Sequence, residues 1–548
     1  MATTQIPPTA SLHGNGLADG AVVSPVPVRS SAKIIAGQPV LTEEAMGWLA
    51  YLHRKVGFGG TWFKDDIVHP SWDNLTGAPI GVYHRYDLSY VTMALGLMCD
   101  QTPAWREEYT RILRYVADRM LEYWAHWDWA ENSGPDPNRA NYPEEARVLI
   151  PEGWWGKYDI PGWAGNGVEP FPYDPDPVRG NGSCNLMYKG YLNLILSFYN
   201  YVSGDDRFDS PFKVVYDDKT EFEYDHRGLN ELIVQQWLRN PSGLACEVTK
   251  TYPWCNNLTG LAIKLFDNMH GTNFHWSYGA YKKYLRENFM GIPEVGPVEW
   301  FSLYYDANID VNMRGEEHQF AYNWFANAFL GYPQDPELFR RLYEGARKRF
   351  LVSQPDGTAF MAGAPGMEVD YPYATITALS ISREIGDDET YSALRRWALK
   401  TYEPTVDQEL GEFYLRLGLD EPWPRGQLND WIMPAFTITE PGSWSRLFNS
   451  PNLSKFREPT LEGVEYPALR PRQAIWDARE RALHASFSSV DADAAGRPTT
   501  FRVANVLPGA TYRVAIDGEV EDRRAAGTNL EIATTIGSHT LTVQQLPV

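Results

Sequence analysis

The segment Gly243-Leu244-Ala245-Cys246-Glu247-Val248-Thr249-Lys250-Thr251-Tyr252-Pro253-Trp254-Cys255-Asn256-Asn257 carries two of the chain's four cysteines, with a carboxylate, a phenol and an indole between them. Two thiols, a carboxylate and a phenol beside aromatic rings can move protons in a water-poor pocket without a cofactor. Nine residues turn a helix by about 900°, so Cys246 and Cys255 cannot share one helical face. Pro253 removes a backbone donor and biases Tyr252 toward extended geometry. The segment therefore reads as a loop from Cys246 through Trp254, with a helix beginning near Asn256. Cys255 then sits at or near a helix N-terminus, where the positive end of the dipole favours a thiolate. Other readings stay open: the cysteines as small apolar packers, or as a disulfide in an oxidising compartment. Zinc fits the spacing poorly, since Cys-x-x-Cys is absent and no second pair follows at finger distance.

Loops of this kind need a frame, and the chain supplies helices. Apolar residues recur at three and four spacing over Leu88–Met98, Trp105–Trp127, Leu186–Val202, Leu258–Met269, Phe320–Leu330, Pro336–Phe350, Tyr373–Ile385 and Thr390–Tyr402. A repeated punctuation separates them, a Gly or short polar turn followed by an aromatic: Ser203-Gly204 to Phe208, His270-Gly271 to Phe274, Gly331-Tyr332 to Phe339, and Ile385-Gly386 to Tyr391. Helical hairpins repeating at that interval close into an (α/α)6 toroid whose loops surround a central cavity. The expected class is mainly α, with a toroid over residues 41–455. Residues 1–40, rich in Ala, Pro, Ser, Thr and Gly, read as a disordered tail and not as a signal peptide. Asn132 to Gly182, loaded with Pro, Gly and Trp, reads as an insertion over one mouth of the toroid. Near residue 455 a linker is marked by Pro459, Pro467, Pro471, Arg470 and Arg472, and short alternating runs follow at 500–504, 512–516, 530–533 and 540–543. Residues 456–548 are expected to form a small antiparallel β-sandwich with a packing role.

A net charge of −21 and a pI near 5.0 argue against nucleic acid and acidic lipid surfaces. No run of 18 apolar residues is present, which excludes a spanning helix. Four cysteines in so long a chain fit a reducing cytoplasm. Aromatic residues make up 14% of the chain, rings that either line a ligand cavity or fill core between helices.

Asn185-Leu186-Met187-Tyr188-Lys189-Gly190-Tyr191-Leu192-Asn193-Leu194, the Cys246 to Cys255 segment and His270-Gly271-Thr272 resemble, in order and separation, the core motifs of the linalool dehydratase-isomerase family. The resemblance runs with gaps from about residue 45 to 450, leaving out the tail, the Trp/Pro insertion and the β-domain. It implies an (α/α)6 fold, chemistry without cofactor or metal, and a ring-like homo-oligomer, pentameric in the type enzyme. The implied reaction is loss of water from an allylic alcohol, together with shift of the hydroxyl along the allyl unit. Carried over, the family cysteines fall on Cys246 and Cys255, the site methionine on Met187, and a site tyrosine on Tyr86. The family histidine is Tyr191 here, and a phenol of pKa about 10 is a poor neutral-pH base where an imidazole near 6.5 is a good one. Tyr191 therefore either donates a hydrogen bond or fills the space left by the histidine. Asp65 and Asp66 are the carboxylates nearest to where the family has a catalytic aspartate, with helix capping or surface exposure as the competing role.

On that basis Cys255 and Tyr86 serve the oxygen end of the substrate, Cys246 with Glu247 the proton-removing end, and Met187, Trp254 and Tyr252 the wall; the two ends are interchangeable. The substrate is a small alcohol or alkene. The competing reading is an (α/α)6 carbohydrate-active enzyme, with carboxylates from Asp65, Asp66, Glu316, Glu317 or Asp370 and Trp154, Trp155 and Trp163 as sugar platforms. A non-catalytic binding scaffold is the third.

Overall fold

The computed structural model describes residues 33–57, 84–121, 176–179, 185–215, 219–246, 250–306, 310–417 and 426–547. Most of the tail and the insertion, with Asp65, Asp66, Glu247, Trp154, Trp155 and Trp163, lie outside the described residues.

The helices alternate in character along the chain. Those of the first kind are α1 (Glu43–Val56), α3 (Glu107–Leu121), α5 (His226–Arg239), α7 (Tyr278–Tyr284), α9 (Pro336–Phe350) and α11 (Asp388–Thr401). Between them run α2 (His84–Gln101), α4 (Leu186–Ser203), α6 (Pro253–His270), α8 (Ala321–Gly331), α10 (Pro372–Ile385) and α12 (Gly426–Thr437), with α13 (Ser443–Asn449) following. Of the second set, α4 is enclosed along almost its whole length: every residue from Leu186 to Val202 is buried. Helices apolar all round belong in an interior. On α3, by contrast, Tyr109, Ile112, Leu113, Val116 and Met120 are buried at three and four spacing, the stripe of a helix with one wet face.

The helices of the second set meet in sequence, α2 on α4, α4 on α6, α6 on α8, α8 on α10 and α10 on α12, and α12 returns to α2. That is a closed inner ring of six helices. Its outer layer comes from α3 against α4, α5 against α4, α9 against α8, α11 against α10, and α1 against α12.

The turns expected at Gly204, Gly271 and Gly386 are present as left-handed C-caps, with φ of 70°, 66° and 77°. Gly331 differs. It is the last residue of α8, and glycine is needed there because the Phe339 ring lies where a Cβ would stand.

Short antiparallel strands connect the layers: β1 (Phe212–Val215) with β2 (Glu221–Tyr224), and β3 (Lys250–Thr251), β4 (Tyr305–Asp306) and β5 (Val311–Asn312) together. β6 (Leu351–Ser353) pairs with β7 (Ala359–Met361), and β8 (Pro404–Asp407) with β9 (Glu412–Leu415).

Beyond the ring lies a separate antiparallel region. Its strands are β10 (Thr460–Glu462), β11 (Arg470–Asp477), β12 (Ala482–Ser488), β13 (Pro498–Ala504), β14 (Thr511–Ile516), β15 (Glu519–Arg524), β16 (Asn529–Thr535) and β17 (His539–Gln545). They form one sheet ordered β10-β13-β16 and another ordered β11-β12-β17-β14-β15, and Phe487 of the second packs on Phe501 of the first at 5.3 Å. Arg470, Pro471 and Arg472 do not form a linker but belong to β11. Proline is tolerated there because the register slips between Pro471 and Gln473, at a bulge. The same stretch ties the two regions together: Leu461 N–H donates to Ala104 O at 2.7 Å, Ala104 N–H to Ala474 O at 3.0 Å, and Leu41 N–H to Arg472 O at 3.0 Å.

Candidate active site

The N-terminal turns of the inner helices converge on one cluster of rings. The second residue of four successive inner helices is large and unsaturated or sulfur-bearing: Met187 on α4, Trp254 on α6, Tyr322 on α8 and Tyr373 on α10. On α2, Tyr86 and Tyr90 stand one turn apart, and on α4 so do Met187 and Tyr191, so each pair shares a helix face. The two faces meet in register. Tyr86 Oη donates to Met187 Sδ at 2.7 Å, and the Tyr90 and Tyr191 hydroxyls bond at 3.1 Å.

The Tyr191 hydroxyl also lies 3.9 Å from Cys255 Sγ. With Cys255 oxidised its sulfur only accepts, so the chain runs from the Tyr90 hydroxyl to Tyr191 and from Tyr191 to sulfur. Trp254 is at the centre of the cluster, 6.2 Å from Tyr90, 6.1 Å from Tyr322, 6.0 Å from Tyr373 and 5.1 Å from Trp431 of α12. Its indole N–H and that of Trp431 are buried without a hydrogen-bond partner among the described residues. Burial, and after it the neighbouring Tyr191, holds the Tyr90 phenol well above the usual range, and burial does the same for Tyr373. Both are neutral donors at any working pH.

Cys246 and Cys255 are joined in a disulfide, their Cα atoms 6.4 Å apart. The sequence left thiol and disulfide forms open, and this structure holds the oxidised one. In that form neither sulfur carries a proton. The bend is built around Asn256. Its Oδ1 accepts from Trp237 Nε1 at 2.8 Å and Leu244 N–H at 2.9 Å, while its Nδ2 donates to Leu244 O at 3.1 Å and Tyr252 O at 2.9 Å. Cys246 N–H donates to Lys250 O at 2.8 Å.

The helix after the bend starts at Pro253 and not near Asn256, since a proline at the first helical position has no partner to lose. Cys255 is therefore the third residue of α6, inside the turn whose N–H groups face outward. Tyr252 is the N-cap, half-buried, its ring 5.1 Å from Tyr304.

The carboxylates of the competing reading fare differently. Glu316 and Glu317 are exposed, with side chains 76% and 72% accessible. Asp370 accepts from Thr375 Oγ1 at 2.7 Å, from Trp397 Nε1 at 3.0 Å and from the Tyr402 hydroxyl at 2.8 Å, which ties α10 to α11. Burial raises its pKa. Two of the three thus face solvent, and the third is bonded into the joint between α10 and α11. Asp430, next to Trp431 in α12, is a fully buried carboxylate that the sequence reading passed over, as it passed over Tyr90, Tyr322, Tyr373 and Trp431. One signal was readable for Tyr373: a proline followed by an aromatic, at Pro372-Tyr373 as at Pro253-Trp254, marks the first turn of an inner helix.

Among solved structures the chain is similar to a family 76 glycoside hydrolase from a bovine Bacteroides thetaiotaomicron strain, at 10% identity and TM-score 0.39, covering 72% of this chain and 77% of that one. It is also similar to an α-1,6-mannanase from Salegentibacter sp. HEL1_6, at 10% identity and TM-score 0.36, covering 72% and 98%. A family 76 mannosidase from B. thetaiotaomicron VPI-5482 matches at 12% identity and TM-score 0.36, covering 74% and 98%. At that identity and score these likenesses bear on neither substrate nor reaction. A sequence profile gives a likeness of another kind, and it starts inside the Trp/Pro insertion that the motif resemblance had left out. Residues 154–417, a little under half of the chain and the stretch that holds Met187, Tyr191, Cys246 and Cys255, match the family described as linalool dehydratase/isomerase.

Proposed function

We propose that the protein is a cofactor-independent lyase or isomerase that removes water from an allylic alkenol, or shifts its hydroxyl, by acid–base catalysis. The observation that supports this reading is the hydroxyl chain from Tyr90 through Tyr191 to Cys255 Sγ, set in a bowl of aromatic rings at the N-terminal ends of the inner helices. The family match over the same residues supports it as well.

The working form is the reduced one. A dithiol reductant supplies two electrons and two protons and converts the disulfide into two thiols, one of which ionises. The Cys255 thiol protonates the departing hydroxyl, the C–O bond breaks, and water leaves. The Cys246 thiolate, with Glu247 beside it in sequence, takes a proton from the adjacent carbon, and the C–H electron pair becomes the new double bond. Transfer of one proton from Cys246 back to Cys255 resets the pair. The Tyr191 hydroxyl donates to the Cys255 thiolate as it forms, which replaces the family histidine by a donor and not by a base. Trp254 Nε1–H, unpartnered in the bowl, is suited to hold the substrate oxygen, and the ring faces stabilise the allyl cation. Tyr86, bonded to Met187, serves the oxygen end with Cys255, and Met187 forms the wall.

The same proposal includes residence in a reducing cytoplasm, assembly into a homo-oligomer, pentameric by resemblance, and a β-sandwich of packing role formed by the two C-terminal sheets. The test is incubation of the reduced protein with a panel of alkenols, read as loss of 18 mass units. Turnover that survives in both Cys246→Ala and Cys255→Ser would sink the proposal.

A further inference from the structure

At the other end of the inner helices three side chains meet that can turn lone pairs toward one point. His270 is the last residue of α6, His226 the first of α5, and Asp209 ends a 3-10 turn, Arg207–Asp209. A nitrogen of each histidine and a carboxylate oxygen of Asp209 lie within 4.8 Å of one another, the one such group among the described residues. Fifteen residues of α6 separate Cys255 from His270, a rise of roughly 22 Å at about 1.5 Å per residue, so this cluster is remote from the bowl.

The hydrogen bonds fix both tautomers. Asn230 Nδ2 donates to His226 O at 2.8 Å, which leaves its Oδ1 to accept from Asn193 Nδ2 at 2.8 Å. Asn193 must then present Oδ1 to His226 Nε2, at 2.9 Å, so Nε2 carries the hydrogen and Nδ1 the lone pair. On the other ring, His270 Nδ1 donates to Phe266 O at 3.0 Å, which leaves the lone pair on Nε2. That nitrogen faces both carboxylate oxygens of Asp209, at 2.9 and 3.1 Å. Acceptor facing acceptor is repulsive, and either a proton or a metal ion on Nε2 resolves it.

The rings are held for the purpose: Phe266 stacks on His270 at 4.0 Å and meets His226 edge-on at 4.7 Å. Each imidazole also donates its second N–H to a fixed oxygen, the arrangement that orients histidines on metals.

We propose that His226, His270 and Asp209 form a binding site for a divalent first-row ion of the zinc class, clipping the turn after α4 to the start of α5 and the end of α6. Two imidazoles and a carboxylate suit such an ion, with bonds of about 2.0–2.2 Å and water completing the shell.

The experiment is calorimetric titration of the full chain, freed of metal by chelation, with Zn2+ at neutral pH, and the visible spectrum of the Co2+ form. The expected result is one equivalent bound, a rise in Tm, and Co2+ bands of a low-coordinate nitrogen–oxygen site. Asp209→Asn, at the surface, leaves the fold intact and should weaken binding by about 10–100-fold, as His270→Gln should. The proposal is overturned if neither Tm nor heat responds to roughly a hundred-fold excess of Zn2+. It is equally overturned if Zn2+ binds both variants as tightly as the native chain, which would put the ion elsewhere.

Discussion

Replacing Asn256 by Ala should destabilise the helical ring by about 3–5 kcal/mol, and the figure follows from which atoms lose partners. Asn256 and Leu244 are fully buried and Trp237 is 1% exposed, so neither water nor a neighbour replaces the amide. Truncation orphans two buried donors, Leu244 N–H and Trp237 Nε1–H. Each such group costs about 1–3 kcal/mol, and the lost side-chain volume adds to it. Of the two carbonyls, Tyr252 O keeps the longer bond from Asn256 N–H at 3.4 Å, while Leu244 O loses its Nδ2 donor. Asn256→Asp keeps the shape but points an oxygen at two carbonyls, and should be at least as damaging. Trp237→Phe alone removes one bond and should cost about 1 kcal/mol, yet in the Asn256→Ala background it removes an orphan, so the double variant should fall short of the sum by about 1 kcal/mol or more. Urea unfolding followed by far-UV circular dichroism measures all four. Additive effects, with Asn256→Ala under about 1 kcal/mol, would refute the assignment of the bend to this amide.

Tyr191→Phe should lower turnover by about 10–100-fold with little change in KM, whereas Tyr90→Phe, one bond further from sulfur, should cost about tenfold or less; equal losses would contradict the order of the chain. Pre-treatment with a dithiol should raise the count of alkylatable cysteines by two and switch on alkenol turnover together, and activity with the Cys246–Cys255 pair still bonded would contradict thiol catalysis. Burial lowers the His275 pKa to about 4, with Gln334 3.0 Å away. A depressed histidine pKa means the unfolded chain binds the extra proton first, so its stabilising contribution is present above pH ~6.5 and is lost as pH falls from there to about 4. His275→Gln should flatten that part of the stability profile in calorimetry, and an unchanged slope would show the ring is not the titrating group.

The inner helices were legible because their ends carry strong local signals. Leu186–Val202 and Tyr373–Ile385 were read within a residue or two of their observed limits, since Gly204 and Gly386 stop them. His226–Arg239 was missed: Gly228 and three polar residues near its start dilute the apolar stripe, and tertiary packing supplies the rest. Pro253 was taken as a loop marker, although at a first helical position it is a helix starter. The linker reading of Arg470 to Arg472 failed on the same residue type, a proline that a bulge accommodates inside β11.

The cysteine pair was legible from spacing because both members lie on one bend. Tyr90, Tyr322, Tyr373 and Trp431 were not, because they reach the site from four other helices and no local spacing records that meeting. Glu247, Asp65 and Asp66 lie outside the described residues.

The inner circle is completed by the seam between its first member, His84–Gln101, and its last, Gly426–Thr437. During synthesis the first segment leaves the ribosome more than three hundred residues before the partner that covers it. Until that arrival the growing protein is an open arc with an oily flank, a substrate for chaperones, and final assembly is a single late, long-range event. A nonsense mutation anywhere before residue 426 would remove that closing piece and leave the arc permanently unsealed.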